Sequence, residues 1–152
     1  MQKIGIVGAT GYTGFVLIST LLTHPEVKIT LITSNTYKGK KISGVFPLLK
    51  GIFEETLEPT DEDHKGKCDA YFLCLPHGSS MEMARRLYDG RAVIVDLSAD
   101  FRFEDAALYE KVYIPHAVKE LIPKAVYGLP ELYRDRIKGA KLIGNPGCYP
   151  TS

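Results

Sequence analysis

No part of the 152-residue sequence carries a sustained charge of one sign: 19 Lys and Arg are interspersed with 18 Asp and Glu, for a formal net charge of +1. A field able to draw in nucleic acid or an anionic membrane surface is therefore missing, and neither partner is expected. Long hydrophobic runs are missing as well. The apolar stretches are strand-sized, well short of the roughly 20 residues a membrane helix requires. The N-terminus passes straight into a strand pattern at residues 3–7 with no secretory apolar segment, so a cytoplasmic protein is predicted. Cysteine is scarce. Cys68, Cys74 and Cys148 form neither a Cys-x-x-Cys spacing nor an even set, which argues against a zinc site and a disulfide framework and leaves reduced thiols. No metal is expected, and the length suits one domain.

One further absence bears on chemistry. Residues 27–33 read as a strand, and its end continues Thr33-Ser34-Asn35-Thr36-Tyr37-Lys38-Gly39-Lys40-Lys41 without a carboxylate. In dinucleotide-binding folds an acid at this point bonds the ribose 2′-hydroxyl of NAD. Hydroxyls, an amide and ammonium groups there favour the 2′-phosphate of NADP instead. Ser34 and Lys38 are the candidate contacts, with Lys40 beside them.

What is present begins with residues 3–14. Ile4, Ile6 and Val7 supply a β-branched strand that stops at Gly8, Gly11 and Gly14, three residues apart, before a helical pattern over 12–24. Glycines so placed let the chain turn tightly, approach a pyrophosphate and pack a helix on a strand, with backbone N–H groups aimed at the anion. Gly8, Thr10, Gly11, Tyr12, Thr13 and Gly14 are the candidate cofactor residues. Residues 69–75 read as a buried strand ending at Pro76-His77-Gly78-Ser79-Ser80, and a helix follows over 81–89, with Ser79 or Ser80 as its N-cap. Residues 92–97 form another strand that ends at Ser98-Ala99-Asp100-Phe101-Arg102. Residues 51–60 carry a weak strand pattern before a polar turn; short helices over 104–111 and 131–138 and strands over 125–127 and 141–144 complete the pattern. Alternating strands and helices predict an α/β fold, a Rossmann-like doubly wound parallel sheet. Ligands of such sheets sit outside the carboxyl ends of the strands, where the three loops lie.

The chain runs on through Asn145-Pro146-Gly147-Cys148-Tyr149-Pro150-Thr151-Ser152. Cys148 follows a Pro-Gly turn and opens a helix, with Pro150 suited to the first turn. Free N–H groups at a helix start favour a thiolate and a developing oxyanion, and Asn145 could add a donor. Cys68 and Cys74 read as core residues of strands. Cys148 is thus the candidate nucleophile.

Five ordered runs carry a resemblance: Gly8-Ala9-Thr10-Gly11-Tyr12-Thr13-Gly14, Leu75-Pro76-His77-Gly78, Leu97-Ser98-Ala99-Asp100-Phe101-Arg102, Val126-Tyr127-Gly128-Leu129-Pro130-Glu131 and Asn145-Pro146-Gly147-Cys148-Tyr149-Pro150-Thr151. Together they resemble the N-acetyl-gamma-glutamyl-phosphate reductase family of arginine biosynthesis. The resemblance implies NADPH-dependent reduction of N-acetylglutamyl 5-phosphate to N-acetylglutamate 5-semialdehyde. Cys148 would displace phosphate to give a thioacyl enzyme, which hydride then reduces. Arg102 and Ser98 become candidates for the substrate phosphate; an ion pair of Arg102 with Asp100 or Glu104 is the simpler alternative. His77 would line the nicotinamide or phosphate site or be a plain loop residue, and Pro76 and Gly78 would let backbone approach the cofactor. Where the family commonly carries an Arg near the end of the second strand, this chain has Asn35.

Family members are considerably longer, with a second domain after the nucleophile that supplies a histidine acid/base, much of the substrate pocket and the contacts of a homo-oligomer. The resemblance implies that residues 1–147 are the NADP-binding domain, that 148–152 begin a helix of the absent catalytic and dimerisation domain, and that this chain alone is inactive. His24, His64 and His116 are poorly placed to replace that histidine. A non-catalytic NADP-binding module, or a related acyl-phosphate reductase of the aminoadipyl or aspartyl type, is the competing reading.

Overall fold

The computed structural model describes residues 1–151; Ser152, the last residue of the expected catalytic-domain segment, lies outside them. Six strands form one sheet: β1 (Gln2–Val7), β2 (Val27–Ile32), β3 (Ala70–Leu73), β4 (Val93–Asp96), β5 (Ala125–Tyr127) and β6 (Leu142–Gly144). Every pairing is parallel, in the order β2-β1-β3-β4-β6-β5. Parallel strands need crossovers, and these carry α1 (Tyr12–Leu21), α2 (Ser79–Leu87), α3 (Ala106–Val112) and α4 (Pro130–Gly139). A fifth helix, α5 (Cys148–Thr151), follows β6. Strand and helix positions follow the sequence expectation closely, and the doubly wound architecture is present.

Alternation along the strands divides the apolar residues between two cores, one on each face of the sheet. Ile4 and Ile6 of β1 join Ile18 of α1, Ile29, Ile42 and Leu57 on one side. Tyr71, Leu73 and Ile94 face the other way and pack with Met81, Ala84 and Leu87 of α2 and Tyr109 of α3. Both faces of a parallel sheet must be covered in this way, which is why β3 and β4 read as nearly continuous apolar runs.

Three local expectations change. Residues 51–60 form no strand; Glu58 bridges Thr33 just past the end of β2, and Thr56 bridges Lys41 in the loop that follows. Helix α1 ends at Leu21, three residues short of the helix expected over 12–24. The N-cap of α2 is Gly78, at φ +81°, with neither Ser79 nor Ser80 in that role. Ser80 is drawn away because its hydroxyl donates to the Asp96 carboxylate at the end of β4.

Asp96 is fully buried and also accepts the Ser98 hydroxyl at 2.7 Å and the Ser98 N–H at 3.1 Å. Burial holds its carboxyl above the ordinary range; the Ser80 and Ser98 donors pull the other way, and the Asp100 charge adds to the rise.

A Cβ on Gly14 would stand 2.5 Å from the Ala9 carbonyl oxygen and 2.7 Å from its carbon. Backbone on both sides must then move, so Gly14→Ala should cost about 1–3 kcal/mol in urea unfolding, and an unchanged midpoint would contradict the packing. For Asp96, both states are protonated at low pH. Above about pH 3.9 the unfolded chain ionises first, so native stability is lost from there up to the raised folded value. Relative to wild type, the unfolding free energy of Asp96→Asn should climb across that window and then run parallel; a pH-independent difference would show that the carboxyl is not raised.

Candidate active site

Strand β1 lies between β2 and β3, so the chain leaves β1 in one direction for β2 and returns on the other side for β3. The crevice opened by that reversal, at the carboxyl ends of β1 and β3, is where doubly wound sheets hold ligands. A cleft of about 540 Å³ occupies it, lined by Gly8, Thr10, Gly11, Ser34, Asn35, Thr60, Cys74, Leu75 and Pro76 among others.

Gly8 turns the chain at φ +82°, and a Cβ there would sit 2.6 Å from the Cys74 carbonyl oxygen. Only glycine fits between the ends of β2 and β3. Its N–H donates to Thr33 Oγ1 at 3.2 Å, the next N–H, from Ala9, donates to the Thr33 carbonyl at 2.9 Å, and Thr33 Oγ1 also meets Thr60 Oγ1 at 2.9 Å. Gly11, the N-cap of α1, faces open space: the nearest heavy atom to a Cβ built there is 4.0 Å away. Helix bonding starts with the Phe15 N–H on the Gly11 carbonyl, at 3.0 Å. The N–H groups of Tyr12, Thr13 and Gly14 therefore lie ahead of the ladder. No side chain caps this end and its first turn holds no acid. That donor set fits a pyrophosphate, which would take the place of the missing cap.

At the end of β2 the Thr10 and Ser34 hydroxyls lie 3.0 Å apart, and the Tyr37 N–H reaches Ser34 Oγ at 3.3 Å. Asn35 Oδ1 accepts the Thr60 N–H at 2.7 Å, tying the 59–61 segment to the cleft. Lys38 is exposed, and Lys40 Nζ stands 5.6 Å from the Tyr37 ring. No carboxylate follows β2, but Asp61 and Glu82 reach the cleft from elsewhere. Glu82 is neutralised by Arg85 at 2.7 Å, and Arg86, which lines the cleft, donates to the Asp61 and Glu62 carbonyls at 2.6 and 3.0 Å.

The other sequence candidates gather along the same sheet edge. Pro76 lines the cleft, and exposed His77 stacks at a tilt on Tyr113 with ring centroids 5.9 Å apart. Arg102 forms no ion pair with Asp100 or Glu104. Its Nε donates to the Asn145 carbonyl at 2.7 Å and an Nη to the Leu97 carbonyl at 3.1 Å, while Glu104 pairs with Arg136 at 3.2 Å. Arg102 thereby ties the loop after β4 to the loop after β6. The Ser98 hydroxyl turns inward to Asp96 and accepts the Asp100 N–H at 3.1 Å. Asn145 is held by its N–H on the Asp96 carbonyl at 2.8 Å, and its Nδ2 donates to the Pro146 carbonyl at 3.0 Å. Cys148 is exposed at the first residue of α5.

Burial separates the thiols. The Cys74 thiol is pushed up to about 12 by burial, with the Asp96 charge adding to the rise. Burial likewise raises Cys68, against the opposing hydroxyls of Thr30 and Tyr71. Neither supplies thiolate near neutral pH. The buried histidines serve the scaffold: His64 Nε2 donates to the Pro59 carbonyl at 2.7 Å and His116 Nε2 to the Asp100 carbonyl at 2.8 Å.

Sequence reasoning missed Thr33, Thr60, Asp96 and Asp100. A signal existed for the acids: Asp96 closes the apolar run 92–95 and Asp100 follows four residues later, and an acid ending a buried strand needs dedicated donors. Thr33 and Thr60 carried no comparable signal.

A family model described as the semialdehyde dehydrogenase, NAD binding domain, matches residues 3–140. The N-acetyl-gamma-glutamyl-phosphate reductase of Nitrosospira multiformis is 50% identical over 100% of this chain and 45% of its own length. That of Geobacter sulfurreducens is 49% identical, with 100% and 44% covered. The chain thus spans less than half the length of these relatives. Aspartate semialdehyde dehydrogenase from Candida albicans, solved with NADP, superposes with a TM-score of 0.64 at 18% identity, over 95% of this chain and 42% of that one. The enzyme from Francisella tularensis gives 0.62 at 15%, over 97% and 36%. At such identities the likeness is one of fold. With the glycine turn, the parallel sheet and a family match over most of its length, the chain belongs to the semialdehyde dehydrogenase NAD-binding-domain family.

Proposed function

We propose that this chain is the NADP-binding and nucleophile-bearing part of an N-acetyl-gamma-glutamyl-phosphate reductase, which converts N-acetylglutamyl 5-phosphate to N-acetylglutamate 5-semialdehyde in arginine biosynthesis. The observation that carries the reading is an uncapped glycine turn and an exposed cysteine on one edge of the sheet, with Arg102 bonded to the Asn145 carbonyl in the loop that leads to the cysteine. Relatives of that name, 46–50% identical along the whole chain, support it.

The N–H groups of Tyr12, Thr13 and Gly14 would hold the pyrophosphate of NADPH, with Gly11 leaving room for it and Gly8 making the turn that brings them there. Ser34 and Thr10 face the 2′-phosphate, and the Lys38 ammonium adds charge from the exposed loop. Pro76, His77 and Gly78 border the nicotinamide. NADPH, when bound, supplies the hydride. Cys148 Sγ, as thiolate, forms a bond to the acyl carbon while the carbon–oxygen bond to phosphate breaks, and phosphate leaves. The carbonyl oxygen gathers charge at the start of α5, where backbone N–H groups and Asn145 act as donors. Arg102 spends two donors on carbonyls and turns the rest of its guanidinium to the departing phosphate. Ser98 keeps that loop in place through its inward hydroxyl. After reduction the carbon–sulfur bond breaks, releasing aldehyde and restoring Cys148. We assign residues 1–147 to cofactor binding and 148–152 to the start of the catalytic segment, in a cytoplasmic protein that works as a homo-oligomer. No helix among the described residues is long and apolar enough to cross a membrane.

The experiment is turnover of N-acetylglutamyl phosphate by the full-length protein. NADPH should be used in clear preference to NADH, and Cys148→Ser should lower kcat at least about 10³-fold. Normal turnover by the serine variant would overturn the nucleophile assignment, and equal use of both cofactors would overturn the 2′-phosphate contacts.

A further inference from the structure

Gly78 begins α2 at φ +81° without a side-chain cap from its own neighbourhood. The missing cap comes from Asp100, 22 residues later. Asp100 Oδ2 accepts the Gly78 N–H at 2.8 Å and the Met81 N–H at 3.0 Å, and Oδ1 accepts the Tyr109 hydroxyl at 2.7 Å. The residue is 1% exposed, and its backbone is equally committed: its N–H donates to Ser98 Oγ and its carbonyl accepts His116 Nε2.

Such a carboxylate on two helix N-terminal N–H groups is a charge-assisted cap. It differs from an ordinary cap in what it joins. Pro76 and Ser79, on either side of the Gly78 turn, line the nucleotide cleft. Two residues beyond Asp100, Arg102 Nε holds the Asn145 carbonyl in the loop that leads to Cys148. Between them Phe101 lies so close to Gly144 that a Cβ there would run into its backbone. The 98–102 segment therefore meets the cofactor-side loop through Asp100 and the nucleophile-side loop through Arg102.

We propose that Asp100 is a positioning residue that sets the 76–80 loop against the nucleotide cleft and keeps it in register with the Cys148 loop. The proposal rests on the cofactor reading given above. Asp100 touches neither cofactor nor substrate. Its carboxylate fixes where the Gly78 N–H and the start of α2 lie, and with them the cleft wall formed by Pro76 and Ser79. Tyr109 supplies only the third bond and contacts no cleft residue through it.

The test uses the chain itself, at a temperature well below every unfolding midpoint. Protection of the Gly78 and Met81 amides is read by hydrogen exchange, NADPH affinity by fluorescence titration, and Cys148 reactivity by alkylation. In Asp100→Ala both amides should lose protection, NADPH affinity should fall about tenfold and the Cys148 alkylation rate should change. Asp100→Asn keeps one acceptor oxygen that can turn to Gly78 and Met81, and should recover much of all three. Tyr109→Phe loses a buried bond but should bind NADPH as wild type does. If Asp100→Ala does not fold, Asp100→Asn still decides, because its amide protection and NADPH affinity should fall measurably below wild type. Wild-type affinity in a folded Asp100 variant, or equal losses in Tyr109→Phe, would mean that Asp100 only stabilises the fold. A wild-type chain that fails to bind NADPH would instead defeat the cofactor reading. In that case amide protection and Cys148 alkylation judge Asp100: unchanged values in its variants overturn the proposal, and changed values support it.

Discussion

The chain leaves β1 through a gap that admits no side chain. At Gly8 the backbone passes within contact of the Cys74 carbonyl on one side while its N–H bonds the Thr33 hydroxyl on the other. Thr33 also takes the Ala9 N–H, and its hydroxyl reaches Thr60, so one buried threonine pins the turn, the end of β2 and the segment returning from the sheet edge. Because β1 stands between β2 and β3, the turn after Gly8 opens on the crevice, where Thr10 and Gly11 line the cleft. Gly14 then lets the helix close on Ala9. The uncapped N–H groups of that helix, and hence the anion site, follow from these two close approaches.

On the far side of the crevice, order comes from buried acids. Asp96 and Asp100 lie in one cluster, and burial works against the first of them. The fold tolerates this because each oxygen is met by hydroxyl or amide donors, leaving no buried side-chain polar atom without a partner among the described residues. Burying charge lowers stability unless the donors are good. What the cluster gains is placement: α2, the 98–102 loop and Asn145 all bond to one or other of these residues.

Much of the fold was legible because its signals are local. Residues 70–73 and 93–96 are short apolar runs bounded by polar turns, and the 12–21 helix begins at a glycine cluster. The strand-end loops carrying Gly8, Pro76 and Arg102 fall on one edge by the alternation of strands and helices alone. The illegible parts depend on distant partners. Ser79 and Ser80 satisfy the local rule for an N-cap, yet the cap is supplied by Asp100 because Ser80 is claimed by Asp96. Residues 51–60 have strand-like composition but make only two isolated bridges, to Thr33 beside the end of β2 and to Lys41 in the loop beyond it. Asp100 and Glu104 were natural partners for Arg102 by proximity in sequence; the folded chain gives Glu104 to Arg136 and sends Arg102 to carbonyls.

Everything proposed for this chain depends on the crevice at the carboxyl ends of β1 and β3 being the nucleotide site. The most direct test is the change in backbone amide chemical shifts of the 152-residue chain as NADPH is added. The largest shifts should fall at Gly11, Tyr12, Thr13 and Gly14, with Ser34 and Gly78 following at the same ligand concentration. Shifts centred on the opposite edge of the sheet, around Gln2, Asp69 and Val93, would contradict it.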